Sequence, residues 1–416
     1  MKKRVCILAC VFSPIYPGFG GRHAYVLAEN LLKAGYEVDV VTTFPINLQR
    51  GGFFRQTILS KEDLNGIRVF RVFSLLPTGL GIWRKFLLYT SFMLASLIAL
   101  PFVKRADVVL GLDPPAPFLI LPGFIFSRLL RAKYILRVTD LWPDVVFDFS
   151  LVRLKLLKSI VTFISTCAYR LADHIMAFTP QIKENIMKYG VSEEKISMVE
   201  MAVDTSIFRP MPEVAEEATA LEFMNPKDKF VVLYSGAFAL TYDFDTLLEA
   251  AKMLDGEAIL FVLLGDGDAK EQILGKTEEL GLKNVTFPSP VSGPEMVAKY
   301  INFSEVCVIP LKPNMVTSML TRPSKVFEFW SCEKPVIVCS KGELPALIEE
   351  SQAGITLEPG NPQALADAIR FLYLNRDLTA NMGKKGREFV LGRFSYDTLG
   401  TKLRTMLDQL VSKGRE

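Results

Sequence analysis

Val5-Cys-Ile-Leu-Ala-Cys-Val11, then Gly21-Arg-His-Ala-Tyr-Val-Leu-Ala-Glu-Asn-Leu-Leu-Lys-Ala-Gly35, then Glu37-Val-Asp-Val-Val-Thr-Thr43, is the stretch on which the fold turns. The first run is continuously apolar, as suits a strand buried on both faces of a parallel sheet. The second places apolar residues at 26, 27, 31 and 32, a helical spacing, and Gly35 is a natural helix end. The third predicts another strand. Strand, helix and strand in this order form a βαβ unit, hence an α/β fold with ligands at the strand C-termini. The intervening loop lacks the G-x-G-x-x-G spacing of a dinucleotide site. Its Gly18, Gly20 and Gly21 permit either close backbone approach to a ligand or a mere tight turn. His23, at the helix start, can touch a substrate or simply pack and cap.

The same pattern restarts further on. Lys229 to Gly236 reads as a strand, Asp245 to Lys252 as a helix, and Ala258 to Gly267 as a strand with Gly265 and Gly267 at its end. Val285-Thr-Phe287 and Val306-Cys-Val-Ile-Pro310 continue the sheet. A chain of 416 residues exceeds what one core usually serves, so two domains are expected. We place the first at 1–210 and the second at 211–392, opening on the polar stretch from Met211. Residues 393–416 carry an amphipathic helix from Tyr396 to Leu410, able to pack back on the first domain.

Thr321-Arg-Pro-Ser-Lys-Val-Phe-Glu-Phe-Trp-Ser-Cys-Glu-Lys-Pro-Val-Ile-Val338 reads as loop, helix, loop and buried strand. A helix N-terminus offers unpaired N–H groups and partial positive charge, which attract phosphate. Lys325 adds a full charge in the first turn, where a purely structural helix gains more from an acid. Glu328, one turn on, can accept sugar hydroxyls. The two readings, a nucleotide-sugar pocket and an ordinary α/β helix with a surface lysine, stand side by side on these residues alone.

Charge is unevenly spread. Residues 1–205 carry 25 Lys and Arg against 16 Asp and Glu, and the remainder 23 against 29, so a net +3 hides a basic half and an acidic half. Only the basic half is suited to an anionic surface, and nothing points to nucleic acid. Phe86 to Val103 holds 18 uncharged residues between Arg84-Lys85 and Lys104-Arg105. Pro101 and the basic flanks argue against a crossing, and we expect a helix that dips into or lies along a membrane interface, the alternative being a buried core helix. Arg153, Lys155 and Lys158 among apolar neighbours reinforce the membrane reading. The N-terminal apolar run breaks at Ser13-Pro14 with no cleavage site, so it is a strand and not a signal peptide. Six cysteines without a C-x-x-C pair read as reduced and mostly buried. Asp113 lies at a strand end. Asp140 and Trp142 follow the strand from Tyr134 to Val138, where a carboxylate and an indole suit a sugar, although Asp140 also suits a helix cap. Asp243-Phe-Asp245 and Asp266-Gly-Asp268 look like metal-binding pairs, but helix capping explains them, so no metal is assigned.

Together these pieces resemble the family 4 retaining glycosyltransferases of the GT-B fold. The resemblance rests on Pro17 to Gly21, Ser235-Gly-Ala-Phe238, Leu264-Gly-Asp-Gly267, Pro323-Ser-Lys-Val-Phe-Glu328, Cys332-Glu-Lys-Pro-Val-Ile337 and Ala353-Gly-Ile-Thr-Leu-Glu-Pro-Gly360. Asp140-Leu-Trp-Pro143 is similar to the bacterial O-antigen and capsule L-fucosamine transferase branch. The resemblance implies two Rossmann-like domains facing a cleft and a protein peripheral or monotopic at the cytoplasmic face of the membrane. It implies retaining transfer, without metal or cofactor, from a nucleotide-sugar, UDP-linked, to a polyprenyl-diphosphate-linked sugar. Gly236, Phe238, Gly265 and Gly267 would approach the nucleotide and Val291 its base. Arg322, Ser324 and Lys325 would hold the diphosphate, and Glu328 the ribose. Gly20, Gly21, His23, Asp113, Asp140 and Trp142 would face the acceptor. The sequence departs from the family pattern at Leu320, where a first carboxylate is usual, at Ala237 and Tyr242, where Arg and Lys are usual, and at Glu333, where Gly is usual. A nucleotide-sugar 2-epimerase of the same fold and a non-catalytic GT-B membrane subunit are the alternatives.

Overall fold

The computed structural model describes residues 3–12, 19–44, 57–75, 82–113, 115–148, 155–212, 229–291, 293–313, 315, 319–320 and 322–412. Pro17, Gly18, Arg153, Thr321 and most of the stretch after Met211 lie outside these, as do the side chains of Arg84, Lys85 and Asp113. Two compact units form, Met1–Glu200 with Leu399–Glu416, and Met201–Thr398.

The first unit holds strands β1 (Arg4–Ala9), β2 (Glu37–Thr43), β3 (Leu59–Leu64), β4 (Ile67–Val72), β5 (Val108–Asp113), β6 (Lys133–Val138), β7 (His174–Ala177) and β8 (Ile196–Met198). They lie in the order β3-β4-β2-β1-β5-β6-β7-β8, parallel except for β3, which runs against β4. Helices α1 (Phe19–Lys33), α2 (Ile82–Ala95), α3 (Ala116–Leu130), α4 (Asp144–Asp148), α5 (Lys155–Leu171) and α6 (Pro180–Lys188) connect them. β1 is apolar from Val5 onward because both faces are covered, and Val5 to Ala9 are fully buried. Among the charges that enter this core, Asp39 on β2, 0% exposed, takes a 2.6 Å hydrogen bond from Arg68 directly opposite on β4.

The uncharged segment from Phe86 differs from the single helix expected. α2 ends at Ala95 and a 3₁₀ turn over Ser96–Phe102 follows, with Pro101 inside it. Phe92, Ala95, Ser96 and Ala99 are buried while Phe86, Leu87, Leu94, Ile98 and Phe102 stay exposed. The segment therefore serves the core on one side and keeps an apolar face outside. No helix among the described residues is long and apolar enough to cross a membrane.

The second unit holds β9 (Phe230–Ser235), β10 (Ile259–Leu264), β11 (Val285–Thr286), β12 (Val306–Pro310), β13 (Val336–Cys339) and β14 (Gly354–Leu357), all parallel, in the order β11-β10-β9-β12-β13-β14. This is a doubly wound Rossmann-like order, whose switch point falls between β9 and β12. Its helices are α7 (Phe244–Met253), α8 (Lys270–Glu279), α9 (Pro294–Phe303), α10 (Ser324–Ser331), α11 (Glu343–Ser351), α12 (Pro362–Leu374) and α13 (Arg376–Arg393), and α14 (Tyr396–Ser412) leads out of it. α10 is sunk in the core: Lys325 through Ser331 are all buried, and Trp330 Nε1 donates to the Ala353 carbonyl at 2.9 Å. Gly386 on α13 admits this packing, since a Cβ there would stand 2.5 Å from the Trp330 ring.

The division between units falls at Glu200 and not at 210, because residues after it are tied into the second unit. Val203 N–H donates to the Phe394 carbonyl at 2.8 Å, and Met211 N–H to Asn302 at 2.7 Å. The second unit likewise runs to Thr398, into the first turn of α14. The rest of α14 packs on the first unit, where Asp408 accepts from Lys3 at 2.5 Å and from Tyr36 at 2.7 Å.

Candidate active site

In the second unit, the C-terminal ends of β9 and β12 and the start of α10 bring Tyr234, Gly236, Tyr242, Lys325 and Glu328 together. α10 begins after Pro323 with no side-chain cap; Val326 N–H donates to the Pro323 carbonyl at 3.1 Å, and no side chain takes the N–H groups of Ser324 and Lys325 ahead of it. The hydroxyl of Ser324, expected beside the diphosphate, hydrogen-bonds Glu328. Lys325 points its ammonium toward β9, donating to the Tyr234 hydroxyl at 3.2 Å. The two tyrosine rings flank it, with centroids 4.2 Å and 4.1 Å away for Tyr234 and Tyr242. Gly236 closes a third side, where an added Cβ would stand 2.6 Å from the ammonium. Burial pushes the Lys325 ammonium down to about 7, with Glu328 acting in the opposite sense. Burial also pushes the Glu328 carboxyl up to about 7, against Ser324 and Lys325. Glu328 is 3% exposed, and its Oε1 has no hydrogen-bond partner among the described residues. A buried acceptor without a donor, beside an uncapped helix end and a buried cation, suits a ligand carrying both hydroxyl and phosphate.

Other expected residues behave differently. Gly265 and Gly267 do make room, but for the protein's own backbone. A Cβ at Gly265 would stand 2.0 Å from the Gly236 carbonyl, and one at Gly267 2.7 Å from that of Phe238. Phe238 is 1% exposed and packs between Tyr234 and Phe244 rather than lining a surface. Arg322 was expected to help with phosphate; it is buried and donates twice to Glu343, at 2.7 and 3.1 Å. Val291 is partly buried against the core. Leu320, at the usual carboxylate position, is 8% exposed. The Asp243 pair is a cap as expected, Asp243 accepting from the Thr246 N–H at 3.1 Å. Among the described residues no three His, Cys, Asp or Glu side chains are grouped to hold a metal ion.

In the first unit, Gly20, Gly21 and His23 lie in the opening turns of α1. His23 Nε2 accepts from Arg137 at 2.6 Å, so its ring is neutral with the proton on Nδ1. Burial and the Arg137 charge hold it well below the usual histidine range. Asp140 is exposed beyond the end of β6, and Asp113 ends β5. Trp142 is clamped by Tyr169, whose hydroxyl donates to its carbonyl at 2.7 Å and accepts from its N–H at 3.0 Å. Its indole meets Phe118 edge to face, with centroids 5.8 Å apart. Tyr234 and Arg137 were not singled out as site residues by the sequence reading, and Tyr242 entered it only as a departure from the family pattern; the signal for all three was their position beside strand ends.

Solved structures define the class. Sucrose-phosphate synthase from Thermosynechococcus elongatus superposes with a TM-score of 0.76 at 19% identity, covering 99% of this chain and 100% of that one. Anabaena HepE in complex with UDP-glucose does so at 0.72 and 15% identity, covering 98% and 99%. The fold is therefore GT-B, that of two-domain glycosyltransferases. Two family models match along it, Glycosyltransferase Family 4 over residues 20–207 and Glycosyl transferases group 1 over residues 218–389, and the chain belongs to these glycosyltransferases. The putative colanic acid biosynthesis glycosyl transferase WcaI of Escherichia coli K12 is 20% identical over 377 residues, 88% of this chain and 91% of that one. A GDP-mannose-dependent phosphatidylinositol monomannoside mannosyltransferase of Mycobacterium tuberculosis is 26% identical over 254 residues, 60% of this chain and 61% of that one.

Proposed function

We propose that this glycosyltransferase moves a hexose or N-acetylhexosamine-type sugar, with retention and without metal, from a nucleotide-sugar to a lipid-linked saccharide in surface polysaccharide synthesis. The observation that carries the reading is the buried pair at α10: the Lys325 ammonium and the Glu328 carboxylate, whose Oε1 has no partner among the described residues, beside an uncapped helix end. The helix dipole and Lys325 would take the charge that develops on the departing diphosphate, and Glu328 would accept ribose hydroxyls. Asp140, Trp142 and His23 would receive the acceptor at the strand ends of the first unit. The colanic acid relative supports a surface-polysaccharide role. HepE, solved with UDP, supports a uridine donor, and the mannosyltransferase relative makes GDP the nucleotide to test against it.

Peripheral membrane attachment is part of this reading. α5 exposes Leu156 (72%), Ile160 (43%), Phe163 (69%) and Ile164 (38%) at helical spacing, with Lys155 and Lys158 exposed beside them. The transfer assay supplies radiolabelled UDP- and GDP-sugars to membranes carrying polyprenyl-diphosphate sugars. Lys325→Met is expected to lower kcat/KM by about a hundredfold or more. Full activity in Lys325→Met and Glu328→Ala together would refute the assignment.

A further inference from the structure

Lys325 has no carboxylate within ion-pair distance among the described residues; what surrounds its ammonium is aromatic. Tyr242 is not a loosely placed neighbour. Its backbone forms an antiparallel bridge with Leu311, flanked by Lys312 N–H to Thr241 at 2.9 Å and Asp243 N–H to Pro310 at 2.7 Å. Its ring meets Tyr234 edge to face at 5.5 Å, and the Tyr234 hydroxyl is oriented by donating to the Ala237 carbonyl at 2.6 Å. The pair thus stands on the ends of β9 and β12, at the switch point of the sheet.

We propose that Tyr242, with Tyr234, is a positioning residue for the donor diphosphate, its ring holding the Lys325 ammonium beside the N-terminus of α10. A lysine side chain loses considerable rotamer freedom when fixed, and a carboxylate that fixed it would also neutralise it and compete with phosphate. Two ring faces supply attraction without a counter-charge. The diphosphate is then the first anion to come within ion-pair distance of the ammonium. Glu328 is the charged group that acts on Lys325; the Tyr242 and Tyr234 phenols are held far above the physiological range by burial, so both rings stay neutral. Because the empty site disfavours the charged lysine, binding a diphosphate draws a proton onto Lys325.

The inference rests on the assignment of this site to the donor diphosphate, and the test separates the two. Titration calorimetry of the whole chain with UDP, GDP and inorganic pyrophosphate, from pH 6.5 to 9 in buffers of differing ionisation heat, reads affinity and proton uptake together. Wild type is expected to take up protons on binding and to lose affinity as pH rises above about 7, where burial places Lys325. Tyr242→Leu is expected to bind about tenfold more weakly, with altered uptake, and Tyr242→Phe to restore most of the loss. Should Tyr242→Leu not fold, Tyr234→Phe removes only the hydroxyl that Lys325 contacts and is expected to weaken binding about threefold. Folded variants that match wild type in affinity and pH profile overturn this proposal alone. A wild-type chain that binds none of the three ligands overturns the donor-site reading and this proposal with it.

Discussion

A carboxylate that is 3% exposed and leaves one oxygen without a partner is not tolerated for the sake of stability. Glu328→Gln should therefore raise the melting temperature of the empty protein while lowering transfer. The sign follows from its raised position, from 4.5 to about 7. A group whose folded value is raised contributes most while protonated and loses that contribution as pH climbs through the window. The advantage of Glu328→Gln should thus be small near pH 4.5, open as pH rises to about 7, and reach about 1–3 kcal/mol by calorimetry. A flat difference across that range would contradict the burial argument. Lys325 and Glu328 were legible in the sequence because both sit in one turn of one helix. Their surroundings were not. Tyr234 lies 91 residues from Lys325, and no local pattern reports a contact that only the winding of the sheet creates.

At the scale of the element, α10 and the turn after it show how a helix can be forced to end. Glu333 has φ 59, a left-handed conformation that suits glycine, and its carbonyl faces the space that a Cβ at Gly383 would fill, 1.9 Å away. Glu333→Gly should stabilise the protein by about 0.5–1 kcal/mol, read as a rise in melting temperature, with transfer unchanged. α5 poses the opposite case, an element whose exposed face does nothing for the fold. Leu156→Ser with Phe163→Ser should leave the melting temperature unchanged and cut co-sedimentation with anionic vesicles about tenfold or more. Unchanged sedimentation would remove α5 from the membrane reading. Elements of this kind were the most readable: the strand runs, the helix spacing and the glycine ends of the first βαβ unit all recur in the structure. The segment from Phe86 stayed open between an interface helix and a core helix, because uncharged composition does not distinguish a face that packs from a face left outside. Pro101 falls inside the 3₁₀ turn that ends the segment.

For the whole molecule, the uneven charge has a measurable consequence. If the basic half meets anionic lipid, association should fall as salt rises, and reversing Lys155 and Lys158 to Glu should reproduce the high-salt result at low salt. Salt-independent sedimentation would leave apolar contact as the sole attachment. The two-unit plan itself was legible from the repeated strand-helix pattern, but its border was not. Met201 to Met211 reads as the tail of the first domain, and what assigns it to the second is its packing there, with Val203 and Phe208 in that core and hydrogen bonds to Phe394 and Asn302. Asp39 and Arg68 bear on how such a large parallel sheet finds its one pairing. They stand directly opposite on β2 and β4, so sliding either strand by one residue would set the carboxylate against Val69 or Ile67. A slip of one residue either way strands the carboxylate in oil, and the native register quenches it. The pair is a spelling check on sheet assembly, most valuable to the chain while it is still unfinished.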